Sequence, residues 1–228
     1  MTRFHILSIF PELVENYANA SILGRAQESG LISITYTNPR DFATDKHQKV
    51  DDRSYGGGPG MVMMVEPLLL ALDKISKGIA RKKNSQKNSK VKIIMFSPSG
   101  KQFTNSYAKN LVKKYTDIVL ICGRYEGIDA RVKKIFKAEE VSVGPFVLTG
   151  GEVPAMIVVD ACARQIDGVL GKNESVEENR LASPEVYTRP EVYKWKGKNY
   201  KVPSVLLSGH AKNIEEWRTN KLKKASDI

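Results

Sequence analysis

The chain has 228 residues, of which 41% are hydrophobic and 27% are charged. This balance is typical of a soluble globular protein and excludes an intrinsically disordered one. No apolar run approaches the roughly 18–20 residues that span a bilayer, and the first residues, MTRFHILSIFPE, lack the long apolar region of a signal peptide. We therefore expect a cytoplasmic protein with no membrane partner.

The charge balance favours a polyanionic partner. There are 36 Lys and Arg residues against 25 Asp and Glu residues, which gives a formal net charge of +11. Basic proteins bind nucleic acids because each neutralised phosphate releases counterions. A general lysine-rich composition would produce the same excess, so charge alone leaves both interpretations open.

Cysteine and histidine are too sparse to suggest a disulfide framework or a zinc site. The two cysteines, Cys122 and Cys162, both lie in apolar contexts, which predicts buried and reduced thiols. No CxxC pair or histidine-rich cluster occurs in the sequence. We therefore expect no metal site from the residues themselves.

The first 37 residues alternate between strand and helix patterns. Residues 4–10, FHILSIF, form an apolar and partly β-branched run that predicts a strand. Pro11 then suits the first position of a helix, and residues 31–37 alternate in polarity as a second strand does. A strand, a helix and a strand in succession favour a parallel sheet.

Residues 39–60, PRDFATDKHQKVDDRSYGGGPG, are polar, rich in turn residues and dense in groups that do chemistry. A long irregular segment inside a domain is usually functional or disordered. The glycines at its end suit either a phosphate cradle or the close approach of a bulky ligand, although no GxxxxGK(S/T) motif is present. A lone histidine is more often structural than catalytic, but the cluster as a whole is a candidate substrate site. Its candidate residues are His47, Asp51, Arg53, Tyr55, Gly58 and Gly60.

Residues 61–115 predict two helices separated by a loop and a strand. Pro67 begins the first helix. Residues 77–92, KGIARKKNSQKNSKVK, contain no acid and predict an exposed basic loop. The remainder predicts, in order, a strand at residues 91–96, a turn at 97–100 and a helix at 104–115.

Residues 117–151 follow the pattern strand, glycine loop, helix, strand, glycine loop. The strands are predicted at residues 117–122 and 141–147. The helix between them places four apolar residues on one face, namely Ile128, Val132, Ile135 and Phe136. Loops at the carboxyl ends of neighbouring strands form the typical ligand crevice of open α/β sheets. We therefore expect three turns to converge on one ligand, those at residues 97–100, 123–127 and 147–151.

The last third of the chain predicts a long helix, a linker and a small basic domain. The helix covers residues 153–169, with Pro154 in its first turn. Residues 170–183 have no apolar period and predict a linker. Residues 208–224 form a helix with a basic face, for which RNA docking and an ordinary solvated face are both adequate explanations.

Six segments resemble the bacterial tRNA (guanine-N1)-methyltransferase family. They are YGGGPGMVMMVEP (55–67), FSPSG (96–100), ICGRYEGIDARV (121–132), VGPFVLTGGEVPAM (143–156), YTRPEV (187–192) and VPSVLLSGHAKNIEEWR (202–218). The resemblance runs in order along nearly the whole chain, apart from residues 73–90 and 172–186. Several segments are about a dozen residues long, which is far more specific than a lone glycine motif.

The resemblance implies an α/β fold with a mostly parallel sheet, helices on both faces and a C-terminal trefoil knot of the SPOUT type, plus a small helical C-terminal domain. It implies a knotted catalytic domain at residues 1–169, a flexible linker at 170–186 and a basic tRNA-binding domain at 187–228. Topology rules alone argue against a knot. That expectation therefore comes from the family and not from the sequence pattern.

The resemblance also implies a reaction and its partners. A methyl group would pass from S-adenosylmethionine to N1 of the guanosine immediately 3′ of the tRNA anticodon, position 37, read with a preceding guanosine. The family is a homodimer whose guanosine site lies between one subunit's knot and the other's C-terminal domain, and a Mg²⁺ requirement is implied by the resemblance only. The cofactor would lie bent against the knot loops, at Phe96, Ser97, Pro98, Gly123, Tyr125, Gly127, Val143, Gly144, Pro145, Phe146, Val147, Leu148, Gly150 and Gly151.

The reaction requires a base and a cation. Guanine N1 carries a proton that must leave before N1 can attack, and negative charge then spreads to O6. The resemblance implies Arg164 near O6 and Glu126 as a carboxylate near the methyl donor. The family's linker carries an Asp-Ser-Phe triplet whose aspartate is the base, but the matching residue here is Asn179, which cannot accept a proton at neutral pH. We predict that the neighbouring Glu178 is the base.

Two other classes of function are also compatible with parts of the sequence. A phosphate-directed nucleotide enzyme would fit the glycine loops and the basic charge, but no Walker lysine or dinucleotide fingerprint follows a strand. A catalytically impaired RNA-binding homologue that binds S-adenosylmethionine and tRNA would fit Asn179. Methylation of a transcript that carries the target guanosine separates the three.

Overall fold

The structure, a computed structural model, describes residues 1–83, 90–170 and 185–226. The chain divides into two units, Met1–Leu170 and Gly171–Ile228. The elements of the first unit are β1 (Thr2–Leu7), α1 (Glu12–Ala18), α2 (Ser21–Glu28), β2 (Ile32–Thr37), a short 3-10 helix (Pro39–Phe42), β3 (Asp51–Asp52), β4 (Val62–Met63), α3 (Val65–Lys83), β5 (Val91–Gln102), α4 (Asn105–Lys114), β6 (Asp117–Ile121), α5 (Ala130–Phe136), β7 (Glu139–Ser142) and α6 (Glu152–Ala163).

A five-stranded sheet forms the centre of this unit, with the strand order β2-β1-β6-β5-β7. Every pair of neighbouring strands in it is parallel. Strands β1 and β6 lie in its interior and are buried along their whole length, including their polar residues Arg3, His5 and Asp117. This is the pattern expected of parallel strands that are covered on both faces, and it confirms the predicted parallel sheet.

Alternating side chains of the strands enter two separate hydrophobic cores. On β6, Ile118 and Leu120 belong to one core, while Val119 and Ile121 belong to the other. Helices α1, α2, α4 and α6 complete the first core, and α3 and α5 complete the second. Helices therefore cover both faces of the sheet, as predicted. Each fully buried Leu or Ile contributes roughly 1.5–3 kcal/mol to folding.

Three polar side chains join the amino ends of the inner strands. Arg3 on β1 donates two hydrogen bonds to the Asp117 carboxylate on β6, from Nε and Nη2, each 2.7 Å long. The His5 ring lies 3.0 Å from the same carboxylate and 2.9 Å from the Thr35 hydroxyl. Arg3 and Asp117 are almost completely buried, so each needs the other to offset its lost hydration.

Helix α3 differs from its predicted extent. The sequence predicts a basic loop from residue 77, but the helix continues through Gly78 to Lys83. Its buried apolar residues Ala71, Leu72, Ile75 and Ile79 follow the helical period into the second core. The lysine-rich composition of the segment conceals that stripe. Residues 84–89 of the predicted loop lie outside the described residues, and its last two residues, Val91 and Lys92, begin strand β5.

The predicted turn at residues 97–100 is part of a longer strand. Strand β5 runs from Val91 to Gln102, and both Phe96 and Lys101 pair with Val141 of β7. The residues between them form an extended bulge that re-aims the strand. Gly100 permits this close contact, since a Cβ there would lie 2.6 Å from the backbone carbon of Glu140.

Three other elements end earlier in the structure than the sequence predicts. Strand β1 ends at Leu7 instead of residue 10, strand β7 ends at Ser142 instead of residue 147, and helix α6 ends at Ala163 instead of residue 169. On α5, Ile135 is 58% exposed although its spacing predicts a place on the buried face. The helix has only seven residues and buries the narrower stripe formed by Val132 and Phe136.

The second unit contains an antiparallel hairpin in addition to helices. Its elements are β8 (Val192–Trp195), β9 (Lys198–Lys201), α7 (Ser204–Leu207) and α8 (Ala211–Ser226). The resemblance implies a small helical unit and gives no hairpin, although Tyr193 and Trp195 alternate with lysines in the period-2 pattern of a strand. Glu185 accepts hydrogen bonds from Lys221 of α8 and from Tyr187, whose ring lies 6.4 Å from that of Trp217. Within the described parts of both units, no helix is long and apolar enough to cross a membrane.

Candidate functional site

A cavity of about 420 Å³ lies where β6 and β7 end and β5 bulges. This volume falls within the roughly 300–1,000 Å³ of small-molecule sites. Three segments line it, residues 95–98, 123–128 and 140–151. The three turns predicted to converge on one ligand thus meet at one place. Every residue proposed for the cofactor lines the cavity except Pro145.

Glycines allow the loops of this cavity to approach one another. The Gly151 amide donates a hydrogen bond of 2.9 Å to the Gly123 carbonyl. A Cβ on Gly151 would lie 2.5 Å from the Cys122 Cα, and a Cβ on Gly144 would lie 2.2 Å from the Phe146 ring. Gly151 therefore excludes a side chain for steric reasons, because its neighbours are backbone atoms, whereas the half-exposed Phe146 ring beside Gly144 could move aside.

A buried ion pair joins the loops beside the cavity. Glu152, at the start of α6, is 2% exposed and accepts a hydrogen bond of 2.6 Å from the Ser8 hydroxyl. The Arg124 Nε lies 2.9 Å from its other carboxylate oxygen, although the N–H is poorly aligned for a hydrogen bond. The Arg124 guanidinium also stacks on the Phe10 ring, 5.0 Å from its centroid. The pair connects segments that follow β1, β6 and β7.

Sequence reasoning did not single out this ion pair. Its members are separated by up to 144 positions along the chain, and Ser8 has no distinctive sequence context. One signal was available, because Arg124 and Glu152 each directly follow a glycine at a loop of the predicted crevice. A charged residue in such a position needs a partner if the loop is buried.

The residues that directly follow the candidate substrate segment are hydrogen-bonded to the loop after β6. The Glu126 amide donates to the Met61 carbonyl, and the Met63 amide donates to the Gly127 carbonyl, each at 2.9 Å. A Cβ on Gly60 would lie 2.5 Å from the Glu126 Cγ, so the Gly60 backbone packs directly against that side chain. The Gly60 backbone therefore lies beside Glu126, which lines the cavity, although Gly60 itself does not.

Asp51 reaches the same rim through Tyr125. Tyr125 has a positive φ of 60°, a conformation that side chains rarely adopt and that is often found at functional sites. Burial raises the pKa of the Tyr125 phenol, and the adjacent, hydrogen-bonded Asp51 carboxylate raises it further. Arg40 also contacts the phenol and acts in the opposite direction. Tyr125 therefore combines a left-handed backbone conformation with contacts between its phenol and two residues of the candidate substrate segment, Asp51 and Arg40.

None of the six proposed substrate residues lines the cavity itself. His47, Arg53, Tyr55 and Gly58 are all exposed. The His47 amide donates to the Asp45 carboxylate at 2.9 Å, which is a local turn contact. Their role in substrate binding stays a prediction.

Comparison with known proteins identifies the family. The model of the family described as tRNA (Guanine-1)-methyltransferase TrmD matches residues 2–227. The chain belongs to this family.

Its relatives span most of the chain. A tRNA (guanine-N(1)-)-methyltransferase of Desulforamulus reducens is 47% identical over 220 residues, which cover 95% of this chain and 82% of the relative. Enzymes of the same name from Ruminiclostridium cellulolyticum and Clostridioides difficile are each 44% identical over 95% of this chain, and the matches cover 89% and 90% of their own lengths.

Membership of the tRNA (guanine-N1)-methyltransferase family confirms the predicted class of enzyme. It favours methyl transfer over the two other functions, the nucleotide enzyme and the impaired RNA-binding homologue. A methyltransferase of this family uses S-adenosylmethionine as its methyl donor. The narrow cavity with its exposed backbone groups is compatible with such a ligand.

The proposed catalytic residues of the family's reaction do not all lie at this cavity. Arg164 caps the carboxyl end of α6, whereas Glu152 begins that helix. The twelve positions between them correspond to about 18 Å along the axis. Glu178 and Asn179 lie outside the described residues, so the base stays a prediction.

Neither cysteine lines the cavity. Both thiols are free and buried. Burial raises the pKa of Cys162 to about 12 and that of Cys122 well above its usual value, so the predicted burial of both thiols is confirmed. Within the described ranges, no group of three His, Cys, Asp or Glu residues could hold a metal ion.

Proposed function

We propose that this protein transfers a methyl group to N1 of the guanosine immediately 3′ of a tRNA anticodon, with S-adenosylmethionine bound in the 420 Å³ cavity. One observation carries the proposal. Three segments that are distant in sequence converge there and bring together all the predicted cofactor residues except Pro145. If the resemblance of these short motifs to the family were due to chance, the three segments would have no reason to meet at one cavity.

The cavity suits the parts of S-adenosylmethionine. Apolar side chains such as Phe96 and Leu148 offer surfaces for the adenine, and the glycine loops offer backbone donors and acceptors. When bound, the cofactor supplies a methyl group on a positively charged sulfur. Glu126 lines the cavity without an ion pair among the described residues, whereas Glu140 pairs with Lys133 at 2.6 Å. Glu126 is therefore the better candidate for a carboxylate near the methyl donor.

The trefoil knot belongs to this proposal. It is supported by the close packing of the loop that contains Gly151 against the end of β6 at Cys122 and Gly123. A knot requires one chain segment to pass tightly against another, and the backbone at Gly151 lies this close to the end of β6.

The proton chemistry needs groups beyond this cavity. We assign the base to Glu178, because a carboxylate must remove the N1 proton and residue 179 is an asparagine. We assign Arg164 to stabilise the charge that develops on O6. Since Arg164 lies about 18 Å along α6 from the cavity end of its own helix, it would serve the cavity of a partner subunit.

An exposed apolar surface supports such a homodimer. Leu13 on α1 and Val153 and Ile157 on α6 are exposed, and the Tyr17 hydroxyl donates to Asp160 at 2.6 Å between the two helices. Contiguous exposed apolar patches mark protein interfaces. Val153, Ile157, Asp160 and Arg164 follow one helical stripe, so a partner packed on this stripe would lie within reach of Arg164.

The second unit has the charge expected of a tRNA-binding surface. Its residues 185–226 contain ten Lys or Arg and four Asp or Glu. An excess of this kind attracts a phosphate backbone. For a Mg²⁺ requirement, the described residues offer no three-ligand cluster, and we assign no step to a metal.

The experiment that tests the function uses paired tRNA transcripts. One carries guanosine and the other adenosine at the position 3′ of the anticodon, and each is incubated with the protein and S-adenosylmethionine. We expect methylation of the guanosine transcript alone, with 1-methylguanosine as the product. Cofactor binding without transfer to either transcript would instead support the impaired RNA-binding homologue.

A further inference from the structure

The hairpin of the second unit presents aromatic side chains to solvent. Tyr193 pairs with Tyr200, and Trp195 pairs with Lys198. Because side chains alternate along a strand, these four residues share one face of the hairpin. We call this the aromatic face. Its tyrosines are each 56% exposed and Trp195 is 55% exposed.

The hairpin that carries the aromatic face is also strongly basic, and Lys198 lies on that face itself. Residues 192–201 contain four lysines and no acidic residue. The Lys196 ammonium lies 6.0 Å from the centroid of the Trp195 ring. A groove of about 260 Å³ continues from the face, and its lining includes Tyr193, Tyr200 and Arg189. Apolar ring surface and positive charge therefore occur together on one exposed feature.

Folding alone does not explain these rings. Exposed aromatic rings contribute little to a core, and an isolated two-stranded hairpin is only marginally stable. A partner protein with an apolar surface would gain nothing from the lysines, which would lose hydration on contact. Single-stranded nucleic acid matches both features, because its bases stack on aromatic rings and its phosphates attract lysine.

We propose that the aromatic face binds unpaired nucleotides of the tRNA substrate by stacking, while the hairpin lysines neutralise the adjacent phosphates. The inference rests on the proposed function for the identity of the RNA. Paired bases within a duplex present only their edges, so the nucleotides that the face binds are those of a loop or an end. The face is thus a substrate-affinity site, separate from the cofactor cavity in its lining residues.

The first test compares two faces of the same hairpin. The double substitution Tyr193→Ala and Trp195→Ala should raise KM for tRNA roughly 5- to 100-fold, because stacking contributes substantially per base. The kcat at saturating tRNA and the affinity for S-adenosylmethionine should not change. Asn199→Ala alters the opposite face of the hairpin and should leave KM unchanged. An unaltered KM in the double variant, or an equal rise in the Asn199→Ala control, would overturn the inference.

A second test does not depend on truncating the face. The chain has two tryptophans, Trp195 and Trp217, so the Trp217→Phe variant reports on Trp195 alone. Its fluorescence should be quenched by tRNA and by a short unpaired oligoribonucleotide, but much less by duplex RNA of the same length. Absence of quenching while tRNA is bound would show that no base stacks on Trp195.

Two further outcomes separate this inference from its alternatives. If the wild type methylates tRNA but its hairpin variants keep the same KM, only the aromatic face is wrong. If the wild type fails to methylate tRNA yet Trp195 is still quenched by unpaired RNA, the proposed function is wrong and the face stands. Sedimentation of the double variant should match the wild type, since a loss of dimer would instead assign the face to a second copy of the chain.

Discussion

At the scale of single residues, Asn179 raises the most specific chemical question. An amide cannot take the proton from guanine N1, so a neighbouring carboxylate is needed. We expect Glu178→Gln to lower kcat by roughly 10²-fold or more, without changing the affinity for S-adenosylmethionine. Steady-state methylation at saturating concentrations of a guanosine transcript measures the first quantity, and calorimetric titration measures the second.

The matched control for this base is Glu177→Gln, which removes one carboxylate from the same segment. It should retain near-wild-type kcat. If Glu178→Gln is as active as this control, the base lies elsewhere. If both variants lose activity equally, the activity depends on the negative charge of this segment, and neither carboxylate is the specific base.

At Asp117, the structure predicts a large effect of substitution on the stability of the fold. Asp117→Asn leaves the buried Arg3 guanidinium without its counter-charge, which typically costs about 3–5 kcal/mol of unfolding free energy. Urea denaturation measures the loss. Asp73→Asn removes the carboxylate of an exposed pair with Lys77 and should cost under about 1 kcal/mol. A similarly small change at Asp117 would mean that Arg3 finds other partners or water.

At the scale of elements, the loops around the cavity depend on glycine for steric reasons. Gly151→Ala would place a Cβ 2.5 Å from the Cys122 Cα and 2.8 Å from the Gly123 nitrogen. The loops must then separate, at a cost of roughly 1–3 kcal/mol. We expect the affinity for S-adenosylmethionine to fall at least about tenfold, since about 1.4 kcal/mol corresponds to that factor.

The control for Gly151 is the same substitution within a helix. Gly78 lies inside α3, and a Cβ added there would meet no atom within 4 Å beyond the backbone of its own helix. Gly78→Ala should therefore stabilise the protein by up to about 1 kcal/mol, and cofactor binding should be unchanged. Unaltered cofactor affinity in Gly151→Ala would show that the loop can move without disturbing the site.

At the scale of the whole molecule, the position of Arg164 predicts a shared active site. Dimers can be assembled from one Arg164→Ala subunit and one Gly151→Val subunit, each inactive as a homodimer. If Arg164 serves the partner's cavity, the mixed dimer keeps one intact site and about half of the wild-type activity. Differently tagged, co-expressed subunits purified in two steps provide the mixed species.

The opposite outcome is equally clear. If Arg164 acts on the cavity of its own subunit, both sites of the mixed dimer are defective and no activity returns. Sedimentation of each homodimer is the necessary control, because a variant that fails to dimerise could not test the arrangement.

Much of the first unit follows from local pattern. Strand β6 is short, apolar and bounded by Asp117 and Gly123, and its fully buried position could be predicted from these residues alone. The end of α3 could not, because its lysines outnumber the apolar residues that continue its buried stripe. The hairpin does follow a local pattern, since Tyr193 and Trp195 alternate with lysines before the turn at Gly197, but the resemblance implied only helices in this unit.

The sequence by itself determined the two-sided parallel sheet, the glycine loops at its carboxyl edge and the family, since each depends on local periodicity or on contiguous motifs. Only the tertiary structure decided that Ser8, Arg124 and Glu152 form one buried cluster, and that the Gly60 backbone packs on Glu126. Such contacts join positions far apart in the chain. Their geometry is set by strand register and loop packing, to which no local pattern of residues corresponds.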